Sequence, residues 1–304
     1  MAKKADMTAP HFQNADAARQ HLERIRWPDG PVCPHCGVIG KVYPIKGKTA
    51  RPGLYKCGSC RKQFTVTVGT LFERSRIPLH KWLIAVHLLC ASKKGISSHQ
   101  LHRMLGLTYK TAWFMSHRIR EAMKESVFTS QLGGQGQVVE ADETYWGNKG
   151  KHRKGARGWA HKEKIFSLVE RGGNVRSFHV PTVAAKTLRP IMREQIARET
   201  AIMTDNAGWY IGLEADFPTH DVVNHGAGEY VRGPIHTNTI EGYFSILKRG
   251  LTGVYQHVGA QHLHRYVGEF DFRYNNRALD DVERVNVALI GIAGKRLMYR
   301  DSSL

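Results

Sequence analysis

Asp142, Asp205 and Glu241 are the residues of this chain whose types and spacing could carry out phosphoryl transfer. Asp142 ends the apolar run Val138-Val139-Glu140-Ala141, and Asp205, 63 positions later, closes the run Ala201-Ile202-Met203-Thr204. Glu241 follows after 35 intervening residues, inside a stretch that reads as a helix from Thr239 to Arg249. Mg²⁺ is a hard cation that prefers oxygen ligands. Two strand-end aspartates and one helical glutamate can hold two such ions about 3.5–4 Å apart, one activating an attacking hydroxyl and the other stabilising the leaving oxygen. Asp142 suits the bridging position, because strand alternation puts it on the face opposite Ala141 and Glu143.

The helix around Glu241 has its own pattern. Asn238, Glu241, Ser245 and Lys248 fall at i, i+3, i+7 and i+10 and share one face, while Ile240, Phe244 and Leu247 line the other. A polar stripe of this kind can hold a metal through Glu241 and a phosphate through Lys248 and Arg249. Asn238 is either a ligand or part of the N-terminal cap, and His236 either contacts phosphate or is structural. Glu140 shares the Asp142 face and is either a supporting group or a surface charge. After Asp142 comes the basic, glycine-rich segment 147–159, whose Lys149, Lys151, Arg153, Lys154 and Arg157 suit a phosphate backbone. Trp159 at its end is placed to pack or to stack on a base.

The elements that must position these groups follow from periodicity. Alternation predicts a strand over 138–144 and two more over 164–171 and 175–180, joined by the hairpin signal Gly172-Gly173-Asn174. A helix over 187–199, a strand over 200–204, a short strand over 221–224 and helices over 239–249 and 261–274 complete the region. Strands alternating with helices make residues 137–290 a mixed α/β catalytic domain. Residues 126–137, with Gly133-Gly134-Gln135-Gly136, read as a linker.

Ahead of it stand two smaller units and an N-terminal helical segment, 1–30, with Leu22 and Ile25 on its apolar face. In residues 31–70, Cys33-x-x-Cys36 and Cys57-x-x-Cys60 lie 20 residues apart on alternating flanks. Four thiolates at this spacing complete a tetrahedral zinc site with no open position, so the zinc is structural and the unit a zinc ribbon; a redox pair is the alternative. Cys90 reads as a small buried hydrophobe. In residues 76–126 a helix opens at Pro78, Ser97 or Ser98 caps a second through Leu105, Gly106-Leu107 turns, and Thr108 caps a third from Tyr109. This is a helix-turn-helix pattern, and the last helix would bring Lys110 and Arg118 to a major groove. Met104, Trp113, Phe114 and Ile119 are assigned to its core.

The net charge is +19, which points to a polyanionic partner, nucleic acid foremost. No run reaches the roughly 18 apolar residues of a membrane span, and the N-terminus has no apolar stretch of a secretory signal. A cytosolic protein without membrane partners is expected.

The segments Asp142-Glu143-Thr144-Tyr145-Trp146-Gly147, Thr204-Asp205, Val223-Asn224-His225, His236-Thr237-Asn238-Thr239-Ile240-Glu241-Gly242 and Phe272-Arg273-Tyr274-Asn275-Asn276-Arg277 resemble bacterial insertion-sequence transposases of the DDE branch with an N-terminal zinc ribbon. The resemblance covers roughly residues 15 to 280. It implies an RNase H-like catalytic fold and Mg²⁺-dependent strand cleavage and transfer in the bacterial cytoplasm, at the nucleoid. Terminal inverted repeats and target DNA would be the double-stranded partners, and a homo-oligomer would assemble on them. Asp142, Asp205 and Glu241 would be the metal triad, with Lys248 as the associated lysine. Some members of the branch carry asparagine as the third residue, which keeps Asn238 in view. The alternatives are a DNA-binding regulator with a catalytically dead C-terminal half, and an RNase H-like nuclease that cuts without joining.

Overall fold

The computed structural model describes residues 6–124, 130–147, 159 and 161–302. The chain divides into two compact units, one of Met1–Glu125 with Asn276–Leu304 and one of Ser126–Asn275.

The first unit starts with α1 (Pro10–Gln13) and α2 (Ala15–Arg26). The Asn14 side chain caps α2 by accepting the N–H groups of Asp16 and Ala17, and Ala18 and Leu22 are buried. Three short antiparallel strands follow: β1 (Val42–Pro44), β2 (Tyr55–Cys57) and β3 (Gln63–Phe64), with β2 central. Then come α3 (Leu79–Ala91), α4 (Ser98–Leu105) and α5 (Tyr109–Met123). Ser97 Oγ accepts from Gln100 N, and Thr108 Oγ1 accepts from Thr111 N. Such caps are worth about 1 kcal/mol each. Gly106, at φ 60°, ends α4 in the left-handed conformation that glycine adopts without a Cβ clash. Ile119 and Cys90 are buried as expected, but Met104 is 54% exposed, because it lies on the outer face of α4.

The second unit is built on a five-stranded sheet. Its strands are β4 (Val138–Trp146), β5 (Glu163–Glu170), β6 (Val175–Val180), β7 (Ala201–Asp205) and β8 (His220–Val223), in the order β6-β5-β4-β7-β8. β4, β5 and β6 run antiparallel, while β7 and β8 run parallel to β4. A separate two-stranded ribbon pairs β9 (Val231–Arg232) with β10 (Ile235–His236). On one sheet face α6 (Ala185–Gln195) packs Leu188 and Met192 against Val139, Ala141, Phe166 and Leu168. On the other, α7 (Asn238–Gly250) and α8 (Ala260–Asn275) pack Ile240, Phe244, Leu247, Leu263 and Phe270 against Ile165, Val169 and Val175. The result is a three-layer mixed α/β fold with RNase H-like strand order. Residues 130–137 are no free linker: Leu132 is 2% exposed in the core and bridges to Ile196, and Gly134 N donates to Thr200 Oγ1.

The last helix, α9 (Asp281–Ile290), belongs to the first unit and packs on α2, α3 and α5. An ideal Cβ at Gly291 would lie 2.4 Å from Ala122 O, so that close approach requires glycine. The second compact unit accordingly ends at Asn275. The reason is α9's apolar face, with Val285, Ala288 and Leu289 buried within the first unit.

Candidate active site

The parallel register of β4 and β7 pairs Val138 with Ala201, Val139 with Ile202 and Glu140 with Met203. Carried two residues further, it sets Asp142 level with Asp205 on adjacent strands. Asp142 Oδ1 accepts its neighbour's backbone N–H, from Glu143, at 2.7 Å. Asp205 Oδ1 accepts from Ala207 N at 3.0 Å, which turns the chain at the strand end.

Glu241 stands in the first turn of α7, above the same face. Thr237 Oγ1 donates to Glu241 Oε1 at 3.0 Å, and His225 Nε2 lies 3.7 Å from that oxygen. Asn238, Glu241, Ser245 and Lys248 are all exposed, as is Arg249, whereas Ile240, Phe244 and Leu247 are buried. The polar stripe is therefore real, with Asn238 as the first residue of the helix.

What aims α7 is Glu140. Its carboxylate is 0% exposed and accepts from Ile240 N (2.9 Å), Thr239 Oγ1 (2.9 Å) and Arg171 Nε (2.7 Å). An anion at a helix N-terminus satisfies orphan N–H groups and complements the dipole. Arg171 in turn donates to Pro234 O and His236 O, both at 2.7 Å, tying β10 to the same point. His236 Nδ1 lies 3.3 Å from Glu140 Oε1, which makes it part of this scaffold rather than a phosphate contact. Glu140 is thus the supporting group of the two alternatives. Arg171, Thr237 and His225 carry no sequence signal for these roles, since their partners lie far along the chain.

Electrostatically the acids strain against one another. Burial first, then the charges of Glu143, Asp205 and Glu241, push the Asp142 carboxyl well above the usual carboxylate range. Glu143, on the opposite face, is pushed up to about 7 by burial and by Asp205, although Tyr210 Oη and Trp209 Nε1 donate to it. Like charges gathered in a half-buried place favour a bound cation, and an all-oxygen set suits Mg²⁺. The three carboxylates do not close to within 4.8 Å of one another; among the described residues only the cysteine cluster does so.

In that cluster Cys33 Sγ is 3.7 Å from Cys60 Sγ and Cys36 Sγ is 3.6 Å from Cys57 Sγ. Tetrahedral zinc with Zn–S near 2.3 Å requires sulfur atoms about 3.8 Å apart. The four thiols fit a structural zinc with no open position, as their spacing predicts.

The expected nucleic-acid residues fare unequally. Lys110 is exposed on the first turn of α5. Arg118 is corrected: it is 8% exposed, with its guanidinium over the Trp82 ring, and it does not reach outward to a groove. Arg118 falls on the packed side of α5, together with Met115 and Ile119. Lys149, Lys151, Arg153, Lys154 and Arg157 lie outside the described residues. Trp159 stacks on Tyr145 with ring centroids 5.6 Å apart.

No helix among the described residues is long and apolar enough to cross a membrane. Residues 131–275 match the ISXO2-like transposase domain and residues 13–63 the transposase zinc-ribbon domain. The chain is 30% identical over 280 residues to a protein in transposable element ISH50 of Halobacterium salinarum, covering 86% of this chain and 91% of the relative. A transposase-like protein of Haemophilus influenzae is 28% identical over 115 residues, 38% of this chain and 84% of its own length. The solved simian T-cell lymphotropic virus intasome with PP2A regulatory subunit B56 gamma aligns at a TM-score of 0.27 and 15% identity, over 64% of this chain and 63% of that one, too low to equate the folds. With its zinc ribbon, its mixed α/β domain and a relative matched over nearly its whole length, this chain belongs to the family of ISXO2-like DDE transposases.

Proposed function

We propose that the protein is an active DNA transposase, binding the ends of its element and catalysing phosphodiester hydrolysis followed by strand transfer. The observation that carries this reading is the level placement of Asp142 and Asp205 on parallel strands with Glu241 on the helix above. Two Mg²⁺ ions held by these carboxylates would supply activation of the attacking oxygen and stabilisation of the leaving one. The remaining work falls to the chain. Thr237 and His225 hold the Glu241 carboxylate at one rotamer. Lys248 and Arg249, further along the exposed stripe, meet the phosphates that flank the scissile bond. Asn238 borders the same site. The zinc ribbon and the helices after it bind the terminal repeat. Joining two ends to a target requires at least two catalytic domains, so the protein works as a homo-oligomer on DNA, in the cytoplasm at the nucleoid.

The experiment is an Asp205→Asn protein assayed for binding to the element's ends and for Mg²⁺-dependent strand transfer. Lost transfer with retained binding supports the reading. Retained transfer would remove Asp205 from the site, and a wild-type protein that binds but never cleaves would be a DNA-binding regulator instead.

A further inference from the structure

Arg118 is a buried cation in search of an anion. Its Nη2 donates to Glu73 O at 3.2 Å, yet its Nε is buried with no acceptor among the described residues. The guanidinium is sandwiched near Trp82 and Phe114, 5.3 and 5.6 Å from their ring centroids. Burial and Arg296 press its pKa down, and Glu73 offsets this only in part. Glu73 itself accepts from Gly69 N and lies 3.9 Å from Arg74, so its carboxylate is engaged elsewhere. A charge taken out of water without a paired counter-charge is unfavourable until an anion or acceptor completes it.

The surroundings supply the opening. Arg118 lines a cavity of about 300 Å³ together with Arg74, Arg76 and Lys110. Arg74 and Arg76 are exposed, and Lys110 Nζ stands 4.5 Å from the Tyr299 ring centroid. Arg74 holds φ 57°, a left-handed conformation that is uncommon for a side-chain-bearing residue and clusters at ligand clamps. Four cations converge and no carboxylate lines the cavity. Trp82 and Phe114 are already covered by Arg118, and Lys110 stands over the remaining lining aromatic, Tyr299.

We infer that this cavity is a phosphate-binding site that grips the backbone of duplex DNA, so that the first turn of α5 anchors the DNA through its phosphates rather than by reading bases with Arg118. The inference rests on the transposase reading and gives its DNA contact a place. Duplex DNA is the occupant because the cavity opens beside the start of the second helix of a helix-turn-helix pair, in a chain of net charge +19. Phosphate contacts fix register and orientation but carry no sequence information.

The test uses the full-length protein and fluorescence anisotropy with two labelled duplexes of equal length, one bearing the element's terminal repeat and one unrelated. Lys110→Ala and Arg76→Ala remove exposed cations, and Arg74→Gly removes a third while suiting the left-handed backbone, so all three keep the fold. Each is expected to weaken both duplexes alike, by about tenfold or less, and to reduce the slope of log K against log[salt] by about 1. Unchanged affinity would overturn the proposal. So would a loss confined to the terminal repeat, which would mean base reading. Competition by millimolar inorganic phosphate in a protein whose DNA affinity ignores the three variants would make it a small-anion site and also overturn it. If the wild-type protein bound no duplex, the transposase reading and the cavity's role would fall together. If it bound and cleaved while the variants behaved as wild type, only the cavity's role would fall.

Discussion

Glu140 and Ile240, 100 positions apart, are joined by a 2.9 Å hydrogen bond from the first turn of α7 to a fully buried carboxylate on β4. That bond fixes the helix carrying Glu241 to the strand carrying Asp142. The same carboxylate receives Arg171, so one side chain sets both the height of α7 and the position of the loop before it.

Glu140→Ala should therefore be severe. It leaves Arg171, 21% exposed, without its counter-charge and three donors without their acceptor. Breaking a buried pair from one side costs about 3–5 kcal/mol. Urea unfolding would read the loss, and hydrogen exchange at the Ile240 amide should quicken in the milder Glu140→Gln. Wild-type exchange at that amide in Glu140→Gln would refute the anchoring role.

Asp142→Asn should separate stability from activity. It replaces a carboxyl whose charged form is disfavoured first by burial, then by Glu143, Asp205 and Glu241. We expect the metal-free protein to gain about 0.5–2 kcal/mol, the usual size of a single stabilising substitution, while strand transfer is lost. Mg²⁺ or Mn²⁺ should raise the melting temperature of the wild type and much less that of Asp142→Asn, since a ligand at about 100 times its Kd adds about 2.7 kcal/mol. Equal shifts in both proteins would place the ions elsewhere.

The four cysteines should bind one zinc per chain in metal analysis, as their mutual approach within 4.8 Å requires. Zinc binding at such sites is folding free energy. Strong chelation, or Cys57→Ser, should therefore melt the ribbon and weaken DNA binding with little effect on the circular dichroism of the catalytic unit. A ribbon that stayed folded without zinc would contradict a structural metal.

Acid should loosen the first unit through His21. Burial, with the charges of His11 and Arg24, lowers its pKa from 6.5 to about 4. The native state holds it neutral while the unfolded chain protonates near pH 6.5, so stability falls as pH drops from that value towards 4 and is complete above it. His21 is only half buried, so after solvent screening the effect is about 1 kcal/mol. Melting temperatures across that range should fall less in His21→Gln than in the wild type; parallel curves would assign the acid sensitivity to other groups.

Local chemistry was legible along the chain. The cysteine spacing, the caps at Ser97 and Thr108, the hairpin at Gly172 and the stripe of Asn238, Glu241, Ser245 and Lys248 depend on neighbours a few positions away, and periodicity reports neighbours. Even the level placement of Asp142 and Asp205 was latent in their separation, since the β4–β7 register has the same offset. Only the tertiary structure decided what depends on distant partners. It buried Arg118 beside Trp82, returned α9 to the first unit, set Leu132 into the core beside Ile196 and made Glu140 the anchor of α7. Residue types along the chain define which bonds a group can make. Which partner completes them, and whether water is still present, is set by packing between segments that the local pattern does not connect.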